Sequence, residues 1–115
     1  MNSPSKAGPP VLEANEKNFH DLVIHSPLPV LLEFWSPECG YCQKMAKVLD
    51  ALAVELSGRY RVVRMNILEN LFTPNNFGVT GIPAFFRVED GKVVSRAQGA
   101  IPKGRLKKEL GILEK

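Results

Sequence analysis

Cysteine is scarce in this chain: there are two in 115 residues. Two thiols make at most one bridge, so the multiply bridged scaffold of small secreted domains is excluded. No apolar run approaches the length needed to span a bilayer. The opening MNSPSKAGPP has no apolar core of the kind a signal peptide needs. Internal repeats and low-complexity tracts are absent too, which removes repeat architectures. Nor is there a strong excess of one charge: the formal net charge is +3, spread along the chain. The densest basic stretch, Lys103 to Lys108, alternates with apolar positions and has no aromatic interleaving. It reads as a solvated helix face, which argues against a nucleic-acid partner.

What remains is an ordinary globular composition, 44% hydrophobic and 23% charged, enough for one domain with a buried core. Residues 1–10 read as a disordered polar tail, and 11–115 as a single domain. The expectation is a cytoplasmic monomer with no membrane partner. A leader removed from the chain would leave no trace in it.

Along the chain, Val11 and Leu12 suggest a short strand. Phe19, Leu22 and Val23 lie on one face of a short helix ending before Pro27. His20 and His25 read as surface residues, because nothing nearby completes a metal site. Val30-Leu31-Leu32-Glu33-Phe34-Trp35 suits a central parallel strand covered on both faces. Met45, Val48, Leu49, Leu52 and Leu56 then mark a long amphipathic helix closed by Gly58. Tyr60 to Ile67 reads as a strand, and Pro74 with Asn75-Asn76 as a short helix or turn. Two strand-like runs, 84–88 and 92–96, flank Glu89-Asp90-Gly91, a hairpin signal. Pro102 opens a last helix carrying Leu106, Leu110 and Leu113. This order predicts an α/β fold: a mixed sheet, parallel in its first half and antiparallel at the C-terminal hairpin, with helices on both faces.

Both cysteines fall in Trp35-Ser36-Pro37-Glu38-Cys39-Gly40-Tyr41-Cys42, directly behind the apolar strand. A zinc site needs four ligands, and only this pair and two distant histidines are on offer, so a metal would require two subunits. A structural bridge over so short a loop would stabilise weakly. A catalytic dithiol needs a stabilised, reachable thiolate and a second thiol to resolve the intermediate. A strand-to-helix junction supplies these: the free N–H groups and positive end of the helix dipole favour a thiolate at Cys39. Cys42, one turn on, lies on the same side but deeper. Gly40 leaves the approach open.

From about Val11 to Leu113 the chain resembles the thioredoxin family. Phe34-Trp35, Cys39-Gly40-Tyr41-Cys42, Arg64-Met65-Asn66-Ile67, Gly81-Ile82-Pro83 and Gly99 carry the resemblance. It implies a thioredoxin fold, with Cys39 as the nucleophile, Cys42 as the resolving thiol, and Pro83 as the family's cis-proline beside the dithiol. It also implies an apolar docking surface around Trp35, Gly40, Tyr41, Ile82 and Gly99. The chain departs from the usual Trp-Cys-Gly-Pro-Cys motif at Glu38 and Tyr41, and a tyrosine there is familiar from glutaredoxins. Lys47 replaces the kink proline, which implies a straighter helix. Glu33 stands for the family's buried aspartate, and Arg64 for the lysine paired with it.

A buried carboxylate is costly unless paired or protonated. Glu33 is therefore either a strand-end acid turned to solvent or a proton acceptor, through water, for Cys42. The implied activity is reduction of protein disulfides, with no metal or organic cofactor and with electrons from an external reductase. An oxidase, an isomerase, a pathway-specific relative and a non-catalytic binding module are the alternatives. Tyr41 restores an N–H that proline would remove from the helix start, which predicts a less reducing dithiol.

Overall fold

Strand β2 (Val30–Trp35) buries the first five of its six residues, and the sheet is built around it. The computed structural model describes residues 10–113, so the tail expected over 1–10 lies, Pro10 aside, outside the described residues. Around β2 stand β1 (Leu12–Ala14), β3 (Arg61–Asn66), β4 (Ala84–Glu89) and β5 (Lys92–Gln98). The order across the sheet is β1-β3-β2-β4-β5. β3 runs parallel to both β1 and β2, whereas β4 runs antiparallel to β2 and β5. The apolarity of β2, broken only by Glu33, has this cause: helical segments cover both faces of a central strand.

Alternation along β2 divides the core. Val30, Leu32 and Phe34 pack with Phe19, Val23, Met65 and Phe86. Leu31 packs on the opposite face with Met45, Leu49 and Leu52 of α1 (Gly40–Glu55), with Phe85, and with Leu106 and Leu110 of α3 (Lys103–Leu110). Each such apolar side chain contributes about 1.5–3 kcal/mol on burial. By the same alternation Glu33 falls on the second face, under α1. Lys47 stands exposed in an unbroken α1, in keeping with the absent proline.

The segment expected as the first helix is a π-helical turn, His20–Ile24. The His25 N–H donates to the His20 carbonyl at 2.7 Å, and the Arg61 guanidinium donates to Leu22 O at 3.0 Å. A cation from β3 thus satisfies a carbonyl that the widened turn leaves free. The hairpin turn is Asp90-Gly91, both with positive φ (52° and 78°), the backbone of a two-residue type I′ connection.

The last helix needs one correction. Leu113 is not on its apolar face: α3 stops at Leu110, and Gly111 takes the left-handed conformation with φ 73°. That reversal sends Ile112 into the core and leaves Leu113 exposed. The short helix α2 (Phe72–Asn76) takes its N-terminal hydrogen bonds from Glu16, which accepts the N–H groups of Phe72 and Thr73 at 3.0 and 3.1 Å. Among the described residues no helix is long and apolar enough to cross a membrane.

Candidate active site

Trp35 ends β2, and the chain turns before α1 begins. Ser36 makes that turn: its Oγ accepts the Glu38 N–H at 3.1 Å and its carbonyl accepts the Cys39 N–H at 3.1 Å. Cys39 is then the N-cap of α1, with extended backbone (φ −96°, ψ 112°). Its Sγ accepts the N–H of Cys42 at 3.1 Å. A sulfur here takes the place that a serine or aspartate oxygen holds in an ordinary cap. Negative charge on that sulfur meets a backbone donor and the positive end of a sixteen-residue helix. Gly40 presents open space where a side chain would otherwise stand. Both thiols are free; Cys39 is half-buried, whereas Cys42 is 1% exposed.

Burial pushes the Cys42 thiol up to about 12, and the contact with Cys39 and the fields of Cys39 and Glu33 push the same way. Glu33 is fully buried, which rules out the solvent-facing acid. Burial pushes its carboxyl up to about 8, the Arg64 field opposing and the Glu13 field adding to it. Among the described residues neither Glu33 oxygen has a hydrogen-bond partner.

Arg64 is not the partner expected for Glu33. The two are register neighbours across β2 and β3, and the Arg64 charge reaches the Glu33 carboxyl, but the contacts of the guanidinium are with Glu13 and Trp35. Its Nε lies 3.7 Å from Oε1 of Glu13, an ion pair rather than a hydrogen bond, and its Cζ lies 3.6 Å from the centroid of the Trp35 ring. The second Glu13 oxygen accepts the Trp35 indole N–H at 3.1 Å. A closed triangle of carboxylate, guanidinium and indole has claimed the cation.

The other expected site residues gather at the same end of the sheet. Phe34 pairs with Ala84 across the antiparallel ladder, which brings Pro83 level with Trp35. The Ile82–Pro83 peptide bond is cis, and the Pro83 carbonyl accepts the Gly99 N–H at 2.8 Å. Tyr41 is 62% exposed, and Ile82 and Gly99 are half-buried. His20 and His25 are exposed, with their rings 5.0 Å apart in the π-helical turn.

Two features escape a linear reading. Glu13 looks like a solvent-facing residue of a short strand, and only the β1–β3 register places it against Arg64. Leu68, Leu71 and Phe72 are exposed apolar side chains just after β3. Trp35 and Asn66 are register partners, so this shoulder lies at the thiol end of the sheet. An apolar run interrupted only by Glu69 and Asn70, with no helical or strand period, was its one sequence signal.

Comparison with known proteins gives the same picture. The Thioredoxin family profile matches residues 10–111. A thioredoxin of Haemophilus influenzae is 44% identical over 96 residues, covering 84% of this chain and 90% of that protein. Thioredoxins of Synechocystis and Pseudomonas aeruginosa are each 35% identical, over 82% and 84% of this chain and 88% and 89% of their own lengths. The chain belongs to the thioredoxin family, and its Cys39–Cys42 dithiol makes it a thiol–disulfide oxidoreductase.

Proposed function

We propose that the chain reduces disulfides of protein substrates in a two-step cycle, as a cytoplasmic monomer recharged by an external reductase. The observation that carries this reading is the unequal pair of thiols: Cys39 half-exposed with an N–H on its sulfur, Cys42 buried behind it. In the first step the Cys39 thiolate attacks one substrate sulfur. The substrate S–S bond breaks, one sulfur leaves as a thiolate, and the other is joined to Cys39. In the second step Cys42 gives its proton, through water, to Glu33 and attacks the Cys39 sulfur. The mixed disulfide breaks, the substrate departs with two added electrons, and Cys39 and Cys42 are left bridged. Two electrons from the reductase then restore the dithiol.

The electrostatics support that order. Before the first step Cys42 is held protonated, first by burial and then by the Cys39 sulfur beside it. Once Cys39 is bonded to substrate its charge is gone, and that part of the opposition to a Cys42 thiolate falls away. Glu33, pushed up to about 8, takes or gives a proton near neutral pH. Substrates dock on the apolar rim of Trp35, Gly40, Tyr41, Ile82 and Gly99, extended by Leu68, Leu71 and Phe72.

The test is insulin reduction with a small dithiol as electron source. Aggregation of the reduced chains should begin well before it does with the dithiol alone. No acceleration would leave a binding module as the better reading. The couple's potential separates reductant from oxidant, since such proteins run from about −270 to about −120 mV.

Tyr41 should set part of that potential. The N–H that reaches Cys39 belongs to Cys42, so proline at 41 would spare it and remove a neighbouring first-turn donor. A first-turn electrostatic contribution of about 0.3–1 kcal/mol corresponds to roughly 6–20 mV in a two-electron couple. Tyr41→Pro is therefore expected to lower the potential by that amount, read by equilibration against glutathione. An unchanged or higher potential would show that first-turn donors do not govern this couple.

A further inference from the structure

Glu13, Arg64 and Glu33 stand side by side on three adjacent parallel strands, each the register partner of the next. One cation is thus placed between two carboxylates, and the geometry shows which one holds it. Arg64 lies against Glu13 and over the Trp35 ring, and Glu33 has no hydrogen-bond partner among the described residues. We propose that Glu13 is a positioning residue, which holds the Arg64 guanidinium on its own carboxylate and on the Trp35 indole and so withholds it from Glu33. The proposal rests on Glu33 as the proton acceptor of the second step, and it names what keeps that acceptor unpaired.

Two costs explain why the arrangement is stable. Glu13 keeps half its side chain in solvent, at 52% exposure, so its charge is less costly to hold than that of the fully buried Glu33. Burial still raises the Glu13 carboxyl, against the pull of Trp35 and Arg64. Drawing the guanidinium under α1 to reach Glu33 would strip water from a full charge. The indole adds to the hold, since a guanidinium stacked on tryptophan is attracted by the ring face. Among the described residues, Arg64 is the cation whose charge reaches the Glu33 carboxyl. Cys42 lies near it from α1 and Phe85 from β4, and α3 brings Leu106 and Leu110 to the same face, with Lys107 paired to Glu55. Arg64 is the cation within reach, and Glu13 decides where it goes.

Glu13→Gln isolates the effect. Glutamine keeps an oxygen for the Trp35 N–H but loses the charge that holds Arg64, on a half-exposed position of an edge strand where folding is little affected. The readout is the titration of the Glu33 carboxyl by carbon-13 NMR, in the disulfide form, where no thiol titrates alongside it. With Arg64 released, the Glu33 midpoint should fall by about one pH unit or more, the effect of an opposite charge brought close. In an Arg64→Gln background the same Glu13→Gln change should move the midpoint less than half as far. No fall in the Arg64-containing protein overturns the proposal. So does an equal fall in both backgrounds, which would mean that Glu13 acts through its own field alone. No substrate is present in this titration. It is therefore independent of whether Glu33 carries the proton during release, which the kinetics of Glu33 variants decide separately.

Discussion

Cys39→Ser should abolish disulfide reduction, and Cys42→Ser should halt it one step later with substrate still attached. The two sulfurs lie in one helical turn, but their surroundings differ. Cys39 is half-buried and caps α1, accepting a backbone N–H at 3.1 Å. Cys42 is 1% exposed and pushed up to about 12 by burial above all. A serine at 39 has no sulfur with which to form the mixed disulfide, so loss should reach the detection limit. A serine at 42 keeps the backbone N–H that contacts Cys39, because that donor belongs to the main chain. The first step therefore survives in Cys42→Ser, and the intermediate has no intramolecular thiol to resolve it. Non-reducing electrophoresis and mass spectrometry should find substrate bound through Cys39 in this variant, and none in Cys39→Ser. Limiting alkylation of the reduced wild type gives a second check: Cys39 should be modified first. Preferential labelling of Cys42 would reverse the assignment of roles.

The parts of this site that lie close in sequence were legible, and the parts made by sheet register were not. The thiols, the helix start and Gly40 occupy four consecutive residues, so their relation follows from helix geometry alone. The central strand betrayed itself by an apolar run broken only by Glu33, and Asp90-Gly91 by turn chemistry. For Glu33 the sequence left a solvent-turned acid and a buried one both open, and its 0% exposure decides for the buried one. Its lack of a partner did not follow. That depends on Glu13, twenty positions away, reaching Arg64 first, an outcome set by how β1, β3 and β2 align. The π-helical turn was hidden for a similar reason, since the Arg61 side chain that satisfies its carbonyl comes from another strand. At the C-terminus the spacing of Leu106, Leu110 and Leu113 favoured a longer helix, and the left-handed Gly111 ended it. Local chemistry outweighed periodicity there.

Replacing Glu33 by methionine should stabilise the protein, and by far more at pH 9 than at pH 5. Both Glu33 oxygens are buried without a hydrogen-bond partner among the described residues. Even the neutral acid therefore costs about 1–3 kcal/mol against an apolar side chain of similar length. Ionisation costs more. The carboxyl moves from 4.5 in the unfolded chain to about 8 in the fold, because of burial first and the Glu13 field second, with Arg64 opposing. Between those values the folded state holds a proton that the unfolded state has released, so stability falls as pH rises. The contribution is fully present below about 4.5 and lost above about 8. At roughly 1.4 kcal/mol per unit the whole loss is on the order of 5 kcal/mol, a large share of a small domain's stability. Urea unfolding of wild type and Glu33→Met at the two pH values should show the gap widening by several kcal/mol. A gap of equal size at both would mean that Glu33 does not titrate in this window. On the role proposed for Glu33, the gain in stability should come with a kinetic loss, because methionine cannot receive the Cys42 proton. Formation of the mixed disulfide should be little changed, since it needs only Cys39. Release should slow by at least tenfold, in line with the 10²–10⁴-fold typical of a positioned base. It should also lack the rise in rate expected of the wild type as pH passes through about 8, where the Glu33 carboxyl ionises. Equal slowing of both steps would point to a general distortion of the site instead of a missing acceptor.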